Sequence, residues 1–150
     1  MAVDVVLEAL CDGLRGTAGM AGVAVYSGLP PLEALGQLYC LLGVEQTRAE
    51  LETLTLPHVP VWAQYSIQMV IVAYGAPEGG PTGQIEASIR NARTAAVAVL
   101  GSVDAYLRSD STLAGRVDDA RLVSWTLEQS PADPGSMARI SAEIRVREHA

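Results

Sequence analysis

The chain has 150 residues, a hydrophobic fraction of 49%, a charged fraction of 18% and a formal net charge of −7. That length and balance fit one globular domain that buries roughly 70% of its unfolded surface with no metal or disulfide staple, and they exclude a disordered chain. All ten basic residues are arginine, and an acidic chain without lysine is a poor candidate for tight nucleic-acid binding, which depends on phosphate neutralisation.

Residues 2–16 read as an amphipathic helix. Val3, Val6, Leu7, Leu10 and Leu14 share one face, with Asp4, Glu8, Asp12 and Arg15 off it. Asp4 and Glu8 suit the positive end of its dipole and Arg15 the negative end, and Gly16 and Gly19 stop it. The opening Met1-Ala2-Val3-Asp4 places an acid where a secretory leader needs positive charge. No apolar run approaches the roughly 20 residues of a membrane span, so an intracellular, soluble protein without a membrane partner is expected.

Residues 22–27 form a short strand, broken by Gly28-Leu29-Pro30-Pro31, and residues 38–45 a second, more apolar one. The next segment, 45–55, carries Glu45, Glu50 and Glu52 against Arg48 and fits either a small helix or an extended hairpin arm. It is a solvated arm or an interaction loop. Pro57 and Pro60 keep the link around His58 irregular.

Residues 61–74 show the longest strand pattern. Trp62, Gln64, Ser66 and Gln68 alternate with Val61, Ala63, Tyr65, Ile67, Met69 and Ile71. The odd face should meet the helices, and the even face water or another subunit. From Met69 to Ala73 both faces become apolar, which predicts cover on both sides. An aromatic such as Trp62 on an otherwise polar strand face marks a candidate interface.

Residues 82–110 form a long helix with Thr82 as its cap. Ile85, Ile89, Ala92, Ala96, Val99, Leu100, Val103 and Leu107 make its apolar face, while Glu86, Arg90, Asn91, Arg93, Thr94, Ser102 and Asp104 lie opposite. Arg90, Arg93 and Asp104 are candidate contacts to a neighbouring subunit. Residues 117–129 and 138–147 are strands joined by Ser130-Pro131-Ala132-Asp133-Pro134-Gly135, strong turn chemistry for a hairpin. In the last strand Ile140, Ala142, Ile144 and Val146 alternate with Arg139, Ser141, Glu143, Arg145 and Arg147, giving one buried and one solvated or subunit-facing side. The expected fold is a single α+β domain, 1–150, of order α-β-β-β-α-β-β, with two helices packed on one face of a mainly antiparallel sheet.

No catalytic constellation emerges. Gly75-Ala76-Pro77-Glu78-Gly79-Gly80-Pro81-Thr82 nearly spells a phosphate loop, but Pro81 stands where lysine is needed and Glu78 would repel the anion. His58 and His149 have no nucleophile beside them in sequence, and Asp118 and Asp119 are adjacent, so a strand would point them apart. Cys11 and Cys40 read as small buried apolar residues, since a metal site needs more ligands and a CxxC is absent. The aromatic residues Tyr26, Tyr39, Tyr65, Tyr74, Tyr106 and Trp125 form no ladder for base stacking, and core packing accounts for most of them. No cofactor and no metal are expected, and the chain is not expected to be an enzyme.

Several phrases carry a resemblance. They are Asp4-Val5-Val6-Leu7-Glu8-Ala9-Leu10 in the first helix, Gly22-Val23-Ala24-Val25-Tyr26 leading into Gly28-Leu29-Pro30-Pro31, the Ala-rich long helix, and the closing Ile144-Arg145-Val146-Arg147. In this order they resemble the tail terminator proteins of long-tailed bacteriophages and gene transfer agents over nearly the whole chain. The resemblance implies a structural virion protein at the tail's neck region, assembled in the host cytoplasm as a homohexameric ring. Such a ring caps the head-proximal end of the tail tube, ends polymerisation of the tube protein and joins the head-closure or neck connector protein. DNA passes through it without specific binding, which the acidic balance suits. On that reading Glu45, Glu50, Glu52, Trp62, Gln64, Gln68, Arg90, Arg93, Arg139, Arg145 and Arg147 are candidate subunit or partner contacts. A neck, head-closure or tail-completion protein is the alternative, and a small ligand-binding or enzymatic α+β domain a more distant one.

Overall fold

A computed structural model describes residues 3–28, 30–31, 36–43, 48–52, 62–75, 81–132 and 135–149. The described elements are α1 (Val3–Arg15), β1 (Ala24–Tyr26), β2 (Leu38–Leu42), β3 (Arg48–Glu52), β4 (Trp62–Gly75), α2 (Pro81–Ser109), β5 (Asp119–Pro131) and β6 (Ser136–His149), with a short 3-10 turn at Ala18–Met20. They form one α+β domain with a mostly antiparallel sheet in the order β1-β2-β4-β6-β5 and both helices on one face.

β4 is the axis of the sheet. Along one side it pairs with β6 over its full length, from Trp62 opposite His149 to Gly75 opposite Ser136. Its other side is shared. β2 takes Met69 to Ala73, and β3 takes Trp62 to Ser66. Gly43, at a φ of 72°, ends β2, and its N–H donates to the Gln68 carbonyl at 2.8 Å. The undecided segment therefore contains a strand, a hairpin arm that fills the rest of the β4 edge. Only the β1–β2 pair is parallel among the described pairs.

The core lies between the helices and the sheet. Val6, Leu10, Cys11 and Leu14 from α1 and Ala92, Ala96, Val99, Val103 and Leu107 from α2 pack on Ile67, Met69, Ile71, Ile140, Ile144 and Val146. This is the odd face of β4 and the even face of β6, as the alternation predicted. A second small cluster, Tyr39, Leu41, Val70 and Val72, is buried on the opposite face of the sheet, where the pattern called for cover on both sides.

The structure corrects the helix cap. α2 begins at Pro81, so Thr82 lies inside the helix. Proline suits the first helical position, because its φ is already helical and its missing N–H would have no partner there. Ser88, buried at 1% exposure, closes the helix onto the sheet by donating from Oγ to the Gly75 carbonyl at 2.9 Å.

Candidate functional site

The outer face of the sheet, away from the helices, is built by alternation along β4, β5 and β6 and by their register. Gln64 stands opposite Arg147, which stands opposite Asp119. One step along, Ser66 meets Arg145 and Arg145 meets Arg121. Next come Gln68 and Glu143, and further along Val72, Arg139 and Glu128. β3 extends the first two rows by register, with Glu50 opposite Gln64 and Arg48 opposite Ser66, and Glu52 lies opposite Trp62. Candidates spread through 100 residues of sequence thus share one surface.

Gln64, Ser66, Gln68, Arg139 and Glu143 are half-buried there, and Arg145 and Arg147 are exposed. Ser66 Oγ donates to Glu143 Oε1 at 2.5 Å, and Arg145 Nη2 lies 3.9 Å from the same oxygen. Arg121 Nε donates to Asp119 Oδ2 at 2.7 Å, and that hydrogen bond raises the guanidinium pKa. A cavity of about 190 Å³ opens among Gln64, Asp119, Arg121, Arg145 and Arg147. Solvated pairs of this kind contribute about 0–1 kcal/mol each to stability, so the cluster is not there to hold the fold. On β5 and β6 four arginines (121, 139, 145, 147) stand against three carboxylates (Asp119, Glu128, Glu143), and the register positions of Arg48, Glu50 and Glu52 on β3 bring the whole face to five against five, with the exposed guanidiniums of Arg145 and Arg147 near its middle. Such a surface can bind acidic groups of a protein partner through bidentate hydrogen bonds.

At the upper end Tyr39 hydrogen-bonds Tyr74, and burial, with the Tyr74 contacts, raises the Tyr39 pKa while Arg139 opposes the shift. Burial also pushes the Cys11 thiol up to about 11 and the Cys40 thiol to about 12. Both cysteines are buried and free. Among the described residues no three His, Cys, Asp or Glu side chains gather as a metal ion would need, and no helix is long and apolar enough to cross a membrane.

Arg90 and Arg93 do not join this surface. They are exposed on α2, on the helix side of the sheet. Glu45 and His58, with residues 76–80 of the glycine-rich loop, lie outside the described residues. Trp125 departs from the core role read for most aromatics. It is 50% exposed, with Val97 at 44% and Val123 at 36% nearby. A bulge between Leu122 and Ser124 shifts the register, so Trp125 pairs with Ala142 on the helix side of the sheet, half exposed in a hollow it shares with Val97 and Leu100 of α2. The broken alternation at Leu122-Val123-Ser124-Trp125 was the one sequence signal of it.

The chain folds like a component of a gene transfer agent particle. A chain of the solved structure described as the virion of a native gene transfer agent particle matches it with a TM-score of 0.51 at 19% identity, covering 96% of this chain and 94% of the other. At that identity the likeness is one of fold. No protein-family model matches the chain, and no curated protein matches it.

Proposed function

We propose that the chain is a structural virion protein of a long-tailed phage or gene transfer agent, and within that class a tail terminator. In this role six copies close into a ring on the head-proximal end of the tail tube. The ring ends tube polymerisation and presents a surface to the head connector, and DNA passes through its centre. The carrying observation is the fold likeness to a virion chain over nearly all of both chains. The order of sequence phrases that resembles tail terminators supports the finer role. On the outer face of the sheet, Gln64, Gln68, Arg139 and the exposed Arg145 and Arg147 suit contact with acidic groups of neighbouring virion proteins, beside the acidic β3 arm.

The test adds purified chain to tail tubes assembling in vitro and images them by electron microscopy. A terminator shortens the tubes and leaves six-fold density at one end. Tubes of unchanged length, together with binding of the chain to DNA-filled heads, would assign it to head closure instead. Charge reversal at Glu45, Glu50 and Glu52 tests the acidic arm. Unchanged capping by that variant would make the arm a solvated loop.

A further inference from the structure

The two helices do not cover the whole sheet. α1 lies at the β1 edge, where Arg15 donates through Nε and Nη2 to the Val25 carbonyl at 3.2 and 2.7 Å. α2 lies beside it, over β4 and β6. β5, at the far edge, touches α2, with Gln129 Nε2 donating to the Ile89 carbonyl at 3.1 Å, but its helix side stays exposed around Val123 and Trp125. Along this side a groove runs between α2 and β5, in two hollows of about 290 and 350 Å³ that share Asp104, Arg108 and Leu122. Val97 forms part of its wall, and Val123 and Trp125 part of its strand side. With Val5 on α1, these are four of the five large apolar side chains exposed among the described residues. Single exposed apolar groups are ordinary, but a cluster in a groove at a sheet edge is a binding surface.

Charge identifies the occupant. At about 100° per residue, Arg90, Arg93, Val97, Gly101, Asp104 and Arg108 fall within about 80° of arc on α2. Exposed Glu86 falls on the same arc, so three arginines against Asp104 and Glu86 give that flank a surplus of one positive charge, concentrated at Arg90 and Arg93 because Arg108 is paired with Asp104 at 2.9 Å. On α1 the exposed Asp4, Glu8, Asp12 and Arg15 fall within a similar arc, a surplus of two negative charges. A Cβ on Gly13 would meet the Tyr106 hydroxyl, so that side of α1 faces α2. Asp4 is nine residues away, about half a turn round the helix, and therefore points away from α2 and off the β1 edge. One edge of the molecule thus presents an acidic helix flank with Val5 beside it. The other presents an apolar groove with Arg108 in its lining and Arg90 and Arg93 further along the same flank of α2.

We propose that α1 of a second copy of this chain docks in the groove between α2 and β5. Its acidic flank meets Arg90, Arg93 and Arg108, and Val5 meets the apolar strip of Val97, Val123 and Trp125. Helix and groove lie on opposite edges of the sheet, so the contact is head-to-tail. Every copy keeps one free helix and one free groove until a ring closes. The inference deepens the ring reading and rests on it for closure and copy number, not for the contact.

The test uses two charge-reversed variants of the full chain, one carrying Arg90→Glu and Arg93→Glu, the other Asp4→Arg and Glu8→Arg. Self-association is followed by sedimentation velocity up to about 1 mM, the weak end of specific affinities. Each variant alone should associate at least tenfold more weakly than the unaltered chain. An equimolar mixture should recover association, because reversed helix then meets reversed groove. Trp125→Ala, at a half-exposed position, should weaken association with unchanged circular dichroism, and it stands in for any reversal variant that fails to fold. An unaltered chain that stays monomeric at about 1 mM overturns the proposal, as does a mixture that does not recover. Tail-tube capping is scored separately. Capping that survives the reversals removes this contact and spares the ring reading, whereas rescued association without capping does the opposite.

Discussion

Gly75→Ala should be among the most damaging single-methyl additions in the described fold. A Cβ at this position would overlap the Ser88 carbonyl oxygen and approach the Ala92 nitrogen and the Ser88 carbonyl carbon at 2.9 Å. All three are backbone atoms of α2, so no side-chain rotation relieves the overlap. The end of β4 must move away from the helix. That movement breaks the 2.9 Å bond from Ser88 Oγ to the Gly75 carbonyl and leaves a hydroxyl at 1% exposure without its partner. The stranded group costs about 1–3 kcal/mol. Forced repacking adds about 1–3 kcal/mol. The sum, about 2–6 kcal/mol, is a large share of the 5–15 kcal/mol typical of a domain. The β5–β6 hairpin feels it too, since Gly135, at a φ of 102°, packs so close that a Cβ on it would lie 2.5 Å from the Gly75 oxygen. Ser88→Ala removes the hydrogen bond without the overlap and should cost only the first of the two terms. Urea unfolding followed by circular dichroism and tryptophan fluorescence measures both, with equal m-values as the check on two-state behaviour. A Gly75→Ala protein within about 0.5 kcal/mol of the unaltered chain, or less destabilised than Ser88→Ala, would refute the close strand-to-helix approach.

Leu10→Ala, at 0% exposure on the inner face of α1, should cost about 2–5 kcal/mol, whereas Val5→Ala on the outer face should fall within about 0.5 kcal/mol. The pair, compared by urea unfolding, checks the orientation of α1. Cys11 and Cys40 should resist iodoacetamide at pH 8 until the chain unfolds, as mass spectrometry of the intact protein would show. Their folded pKa values, about 11 and 12, lie above the ordinary 9.0. The folded state therefore holds these protons more tightly, and the stability they contribute is present below pH 9 and is lost as pH rises through 11 to 12. A urea midpoint that rises over that range would contradict their burial as neutral thiols. Arg145→Glu combined with Arg147→Glu, both exposed, should leave the fold within about 1 kcal/mol by urea unfolding and abolish tail capping in the tube assay.

Sequence reading found the elements whose pattern comes from burial on one side. β6 is the clearest: Ile140, Ala142, Ile144 and Val146 are all buried, and the residues between them carry the polar face. The segment at β3 was not legible, because Arg48-Ala49-Glu50-Leu51-Glu52 is made of good helix formers. It is a strand because β2 leaves the lower half of the β4 edge unpaired, and an open edge is a long-range demand that no local propensity records. The outer-face candidates on β4 and β6 were readable as two separate polar stripes. Their assembly into one surface follows from the β4–β6 register, which sequence periodicity does not specify. Arg121 and Asp119 were missed there because the bulge between Leu122 and Ser124 switches the outer face of β5 from odd to even positions, which breaks the alternation along the strand.

The placement of arginine links these surfaces. Arg121, Arg139, Arg145 and Arg147 occupy the outer sheet rows, with Arg48 at a register position in the same row as Arg145. Arg90, Arg93 and Arg108 share one flank of α2. That assigns eight of the ten positive charges to two surfaces, while the chain as a whole carries −7. Copies of such a chain repel one another in most orientations, and attraction is confined to approaches that bring an acidic surface to one of these two. Charge complementarity of this kind selects register and partner more than it adds affinity. The apolar strip at Val97, Val123 and Trp125 supplies the adhesion that the charges aim. The proposed edge-to-edge contact leaves the outer sheet face open, so one fold can bind its own copies at its edges and a different partner across its face.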